Sequence, residues 1–182
     1  MNDVLAFLVH NPTVPVIAIS AVIAYKSLRS QRHLARAKHA IDFQSDYHAS
    51  KEAQHHNRIV RESTRTLSWD ETAALAAPGH FNDEVVISIR EVLNAWEKVA
   101  IAIQSDVYDE DILYNAYGSY VVGTWMDLRA YTQVKQAANP RLYVRLDWLA
   151  IRWMCRRQSD LGPIDLKKLQ RAQGVITAIL HK

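Results

Sequence analysis

A single cysteine leaves this 182-residue chain without a disulfide scaffold or a cysteine-rich zinc module. Five glycines and five prolines are too few for a fibrous or disordered chain. There is no P-loop, no glycine-rich dinucleotide turn, no GxSxG and no HExxH. Internal repeats and low-complexity segments are absent as well. No cofactor is therefore expected, and no enzymatic activity. Charge of one sign is also scarce: 22 Lys and Arg face 19 Asp and Glu, for a formal net charge of +3. That balance is too mild for nucleic-acid binding. What remains is a chain rich in Ala, Leu, Ile and Arg. It runs for 62 residues, Val16 to Ala77, without one Pro or Gly. Such a composition predicts an all-α fold.

Val4 to Tyr25 is 22 residues long and carries no charge. As a helix it would reach about 33 Å, enough to cross a bilayer core. Pro12 and Pro15 kink it or mark its beginning. A secretory signal would place positive charge before the apolar run. Here Asp3 precedes it, and Lys26, Arg29, Arg32, Arg36 and Lys38 follow. A single transmembrane anchor is therefore expected, with a buried or interfacial helix as the competing reading. The positive-inside rule puts the short N-terminus outside and everything from Lys26 onward in the cytoplasm. The lone Cys155 suits a reducing compartment. From Lys26 to Thr66 the net charge is +5, and from Leu67 to Lys182 it is −1. The basic excess is thus a cuff next to the membrane, suited to lipid headgroups.

Three segments are expected: the anchor (1–27), a juxtamembrane helix (28–66) and a cytoplasmic bundle of about four helices (67–182). With no breaker before Thr64, the anchor is expected to continue unbroken as one long helix. Ser68 and Glu71 have capping-box spacing for a short helix from Trp69 to Ala77, ended by Pro78-Gly79. Asn82 is placed to cap an apolar-faced helix to Gln104. Asp109, Glu110 and Asp111 open a third, running to about Asn139, in which Gly118 and Gly123 allow close approach of a neighbour. Pro140 opens a fourth, to about Gln158, and Asp165 to Leu180 a last.

The stretch IREVLNAWEKVAIAIQSDVYDEDIL (Ile89 to Leu113) resembles the central signature of the domain-of-unknown-function family numbered 4760. Trp125, the DWLAIRW stretch (Asp147 to Trp153) and Ile41-Asp42-Phe43 are similar to further elements of that family. The chain departs from the pattern at Ala130 and Lys135-Gln136, where the family often carries a Pro and then an Arg. The resemblance covers most of Val16 to Trp153. It implies a bacterial or phage origin, so that the expected membrane is a bacterial inner membrane, and an all-helical cytoplasmic domain, and it brings no activity and no catalytic residue.

His48, Glu52, His55 and His56 share a helix face at metal-ligand spacing, although a solvated stalk face is the preferred reading and no metal is expected. Glu97 is expected to form a structural ion pair with Arg145 or Arg152, since a buried charge needs a partner. Cys155 is expected to be a buried or interfacial structural residue rather than a nucleophile, and the five Trp (69, 96, 125, 148 and 153) to be core. Ala18, Ala21, Ala24, Ala35, Ala37 and Ala40, with Leu34, Ile41 and Tyr47, form a small-residue seam suited to a homo-oligomer, with a stalk folded back onto its own bundle as the competing reading. The expected function is a non-enzymatic, membrane-tethered interaction or regulatory module, in phage exclusion or stress response. It would work through membrane lipids, through self-assembly or through an as yet unidentified protein partner. The alternative is an oligomeric pore lined by His10, Asn11, Thr13 and Ser20.

Overall fold

The computed structural model describes residues 13–160, apart from the side chains of Val14, Pro15 and Ala18. The expected last helix, Asp165 to Leu180, lies outside the described residues, as do His10 and Asn11. The described chain is all-α. Its helices are α1 (Thr13–Ala49), α2 (Lys51–Thr64), α3 (Trp69–Ala74), α4 (Glu84–Gln104), α5 (Glu110–Asp127), α6 (Arg129–Ala138) and α7 (144–160). A single 3-10 turn, Pro78–His80, links α3 to α4.

The apolar residues of α4 recur at helical spacing and explain its central place. Val86, Ile89, Val92, Leu93, Trp96, Val99, Ala100 and Ile103 are all buried. Around it α2 packs on α4, α3 on α6, and the lower half of α1 on α5. Trp96 sits among Phe43, Tyr47, Tyr117 and Tyr120, with ring centroids 5.1–6.0 Å away. Each such aromatic pair adds about 0.5–1.5 kcal/mol beyond area burial.

Local chemistry sets the ends of the elements. Ser68 and Glu71 form the expected capping box of α3. Asp109 Oδ1 accepts the N–H groups of Asp111 and Ile112 and caps α5. The residue flanking α4 is Asp83 rather than Asn82, and it makes no side-chain cap. Asp106 closes α4 in a left-handed conformation (φ 61°). The Val107 N–H donates to the Ala102 carbonyl and the Asp106 N–H to the Ile103 carbonyl. These are the two bonds of a Schellman C-cap, with Asp where Gly is commonest.

Three expected helices are cut differently. The long helix does not run unbroken to Thr64: it breaks at Ser50 (ψ 111°), whose Oγ accepts the Ala53 N–H and starts α2. The third helix breaks at Leu128 into α5 and α6. The fourth begins at 144 rather than at Pro140, because 140–143 form a turn and Tyr143 takes φ 57°. Neither glycine of α5 admits a neighbouring helix. A Cβ on Gly118 would meet the Tyr114 ring of its own helix at 3.0 Å, and one on Gly123 would meet nothing within 4 Å.

The segment 28–66 shares the core of the bundle: Ala40 and Val60 belong to the same buried cluster as Trp96 and Trp153. The small-residue seam is therefore partly used within one chain, since Ala40 has 0% exposure while Leu34 and Ile41 are exposed. Among the described residues no helix is long and apolar enough to cross a membrane. The uncharged run described here, Thr13 to Tyr25, spans about 20 Å, short of the ~30 Å of a bilayer core.

Candidate functional site

The upper half of α1 leaves the bundle as a bare arm. Every side chain described from Ile19 to Ala35 is exposed. Val16, Ile17, Ile19, Val22, Ile23, Tyr25 and Leu28 are 54–67% exposed. At about 100° per residue these positions are distributed around the whole circumference of the helix. A helix apolar all round is normally covered on every side. This one is covered by nothing else among the described residues.

The basic cuff follows directly. Lys26, Arg29, Arg32 and Lys38 are exposed. Arg36 is not a free headgroup contact: its Nη1 lies 2.6 Å from Asp106 Oδ1, and its carbonyl accepts the Asp109 N–H. That pair pins the base of the arm to the α4–α5 turn.

The histidine cluster is dispersed. The break at Ser50 separates His48 from the other three, and His48 stacks on Tyr117 at 5.6 Å. His55 Nε2 lies 3.2 Å from Glu84 Oε1. His56 Nδ1 lies 3.0 Å from Ser88 Oγ, and its Nε2 is 3.9 Å from Glu52 Oε1. Among the described residues no group of three or more His, Cys, Asp or Glu could hold a metal ion. Ser88, His56 and Glu52 have the residue types of a hydrolase relay, but Ser88 has 0% exposure, so no substrate reaches its hydroxyl. Beside them, a groove of about 300 Å³ is lined in part by Phe43, Tyr47, Asn57 and Glu91. Asn57 ties the α1–α2 corner to α5: its Nδ2 donates to Tyr47 Oη (2.9 Å), and Tyr120 Oη donates to its Oδ1 (2.6 Å). Burial pushes the Tyr120 phenol well above its ordinary range, so it stays a donor.

The expected Glu97 ion pair takes another form. Glu97 accepts the backbone N–H groups of Arg145 (3.2 Å) and Leu146 (2.6 Å), at the start of α7. Arg152 instead holds Glu110 with two bonds, Nε to Oε1 (2.6 Å) and Nη2 to Oε2 (3.0 Å). Donating these hydrogen bonds to Glu110 raises the Arg152 pKa above its ordinary value. Trp153 Nε1 also donates to Glu110. Cys155 is exposed rather than buried. Sequence reasoning missed Asp147, which collects Trp125 Nε1 (2.6 Å), Arg129 Nη1 (2.9 Å) and Gln136 Nε2 (2.7 Å). An acid flanked by apolar residues in DWLAIRW was the available signal.

The bundle, with its unpacked apolar arm, defines an all-helical protein whose conspicuous surface is the exposed upper part of α1. The family described as Domain of unknown function (DUF4760) matches residues 14–153, and the chain belongs to it. Glu97, Glu110, Trp125, Asp147, Arg152 and Trp153 lie within the matched range and link α4, α5, α6 and α7. No curated protein and no solved structure matches the chain.

Proposed function

We propose that this protein is a membrane-tethered, non-enzymatic interaction module: the arm enters the bilayer and the bundle sits on the cytoplasmic face. The observation that carries this reading is the upper half of α1, apolar on every side and covered by nothing in the described chain. Lipid covers such a surface without any protein partner. Val4 to Pro12 is uncharged too, which brings the run to the length a span requires. The charge order supports the orientation, because basic residues follow the run and none precedes it.

Deleting residues 1–27 tests the tether. The truncated chain should move from the membrane to the soluble fraction, and identical fractionation of the two chains would reject the reading. A reporter active only in the periplasm, fused after Lys182, should be silent, and strong activity would reverse the topology.

A second reading rests on Thr13 and Ser20, both exposed and seven residues apart on one face of α1. Several arms side by side could turn that face to a pore, which conductance in planar bilayers would detect.

A further inference from the structure

The stripe of α1 that packs on the bundle continues upward beyond it. Ala40, Phe43 and Tyr47 are its core positions. About one to three turns before Ala40, the same face carries Arg29, Arg32, His33 and Arg36, at the spacings i, i+3, i+4 and i+7. There it faces the α4–α5 turn across a cleft of about 500 Å³, lined by Tyr25, Leu28, these four residues and Asp106. Lys26 and Lys38 do not line it.

The charges in this cleft do not cancel. Asp106 is engaged by Arg36 at 2.6 Å. His33 Nδ1 lies 3.7 Å from Asp109 Oδ2, an acid whose other oxygen already caps α5. Arg29 and Arg32 have no carboxylate partner among the described residues. In addition Arg36 Nε is buried and has no hydrogen-bond partner. A buried guanidinium N–H without an acceptor leaves a donor unmet in the Arg36 side chain.

We infer that this cleft binds a phosphate group, that of an anionic lipid headgroup. Guanidinium groups match phosphate oxygens in a fork geometry that an ammonium lacks. Tyr25 and Leu28 form the upper wall, on the side of the apolar arm, where acyl chains would leave the headgroup. Asp106 competes with phosphate for Arg36 and so limits affinity. This assignment rests on the membrane reading above, and it replaces a diffuse basic cuff by one site.

The test is calorimetric titration of the full-length chain in non-ionic detergent with three probes: dihexanoyl phosphatidic acid, dihexanoyl phosphatidylcholine and inorganic phosphate. Phosphatidic acid should bind saturably and about tenfold tighter than phosphatidylcholine. Two variants with equal loss of charge separate a site from a cuff. R29Q/R32Q should weaken phosphatidic acid about tenfold or more, and K26Q/K38Q less than about threefold. Asp106→Asn keeps a residue tolerant of positive φ, frees Arg36, and should tighten binding. Equal weakening by the two pairs, or no gain with Asp106→Asn, would overturn the site. Inorganic phosphate binding as tightly as phosphatidic acid would overturn the lipid source. Failure of the tether alone looks different: the full-length chain would fractionate as soluble while still binding phosphatidic acid in the pattern above.

Discussion

Glu97 Oε2 accepts the backbone N–H of Leu146 at 2.6 Å, so a side chain of α4 caps α7. The residue that precedes α7 is Tyr143, buried and held at φ 57°. Tyr cannot serve as an N-cap acceptor, and that backbone conformation is costly for a bulky residue. Glu97 supplies what Tyr143 lacks, adding a negative charge at the positive end of the helix. Glu97→Ala should cost about 1–2 kcal/mol. Amide exchange should speed up first at Arg145 and Leu146, and unchanged protection there would refute the cap.

Asp147 serves three donors at once, from α5 and from the two ends of α6: Trp125, Arg129 and Gln136. Both ends of its ion pair are part-buried, with side chains 19% exposed for Asp147 and 29% for Arg129. Screening at that exposure reduces the value of the pair, yet removing the acid strands three donors. Asp147→Ala should therefore cost about 2–3 kcal/mol, more than Arg129→Ala at about 1 kcal/mol. Urea melts of the two variants check the order, and a larger loss for Arg129→Ala would contradict the hub.

Much of this architecture was legible in the sequence. The α3 capping box, the acidic start of α5 and the buried stripe of α4 each depend on residues close together in the chain. The Ser50 break was not legible, because strong helix formers flank it and a lone Ser is common inside helices. Nor was the Glu97 cap, since a cap supplied by another helix leaves no spacing to read. The choice of Glu110 for Arg152 was hidden for the same reason: many carboxylates were available, and only packing decides which one is in reach. The bareness of the arm was half legible. The lack of charge from Thr13 to Tyr25 was plain, whereas the lack of cover depends on where α4 and α5 end.

Alkaline pH should unfold the protein through its tyrosines. Burial is the first cause raising the pKa of Tyr117, Tyr131 and Tyr143, the last to about 12, against an ordinary 10.0. A raised tyrosine holds its proton more tightly in the folded state. Its contribution is therefore complete below about pH 10 and is lost as pH rises toward the folded value. Unfolding free energy should fall from about pH 10 upward, and Tyr143→Phe should flatten that fall. A slope identical in Tyr143→Phe would show that this phenol titrates normally. On the acid side the sign is opposite: the Ser68 N–H lowers the Glu71 pKa, so the α3 cap should weaken as pH drops below the carboxylate range.

The five tryptophans should divide by burial. Trp96 and Trp153 are almost completely buried, Trp125 and Trp148 are half-buried, and Trp69 is 54% exposed. Trp96→Ala and Trp153→Ala should each cost about 3–5 kcal/mol. Trp69→Ala should stay within about 0.5 kcal/mol. Thermal melts rank them, and a Trp69 loss as large as that of Trp96 would mean that the exposed indole is covered by something the chain carries with it.

Self-association, if it uses α1, must use what the bundle leaves free. Ala40 faces inward with 0% exposure, while Leu34 and Ile41 are exposed at 64% and 54%. Single cysteines at these three positions separate the surfaces, in a background with Cys155→Ser because Cys155 is itself exposed. A cysteine at 40 should resist maleimide in the folded chain, and cysteines at 34 and 41 should react readily. If copies pair along the arm in membranes, intermolecular disulfides should form at 34 and not at 40. Ready cross-linking at 40 would mean that α1 detaches from α5 when copies meet. Absence of cross-linking at 34 and 41, with a monomer mass in mild detergent, would leave a single arm per bundle and remove the pore reading with it.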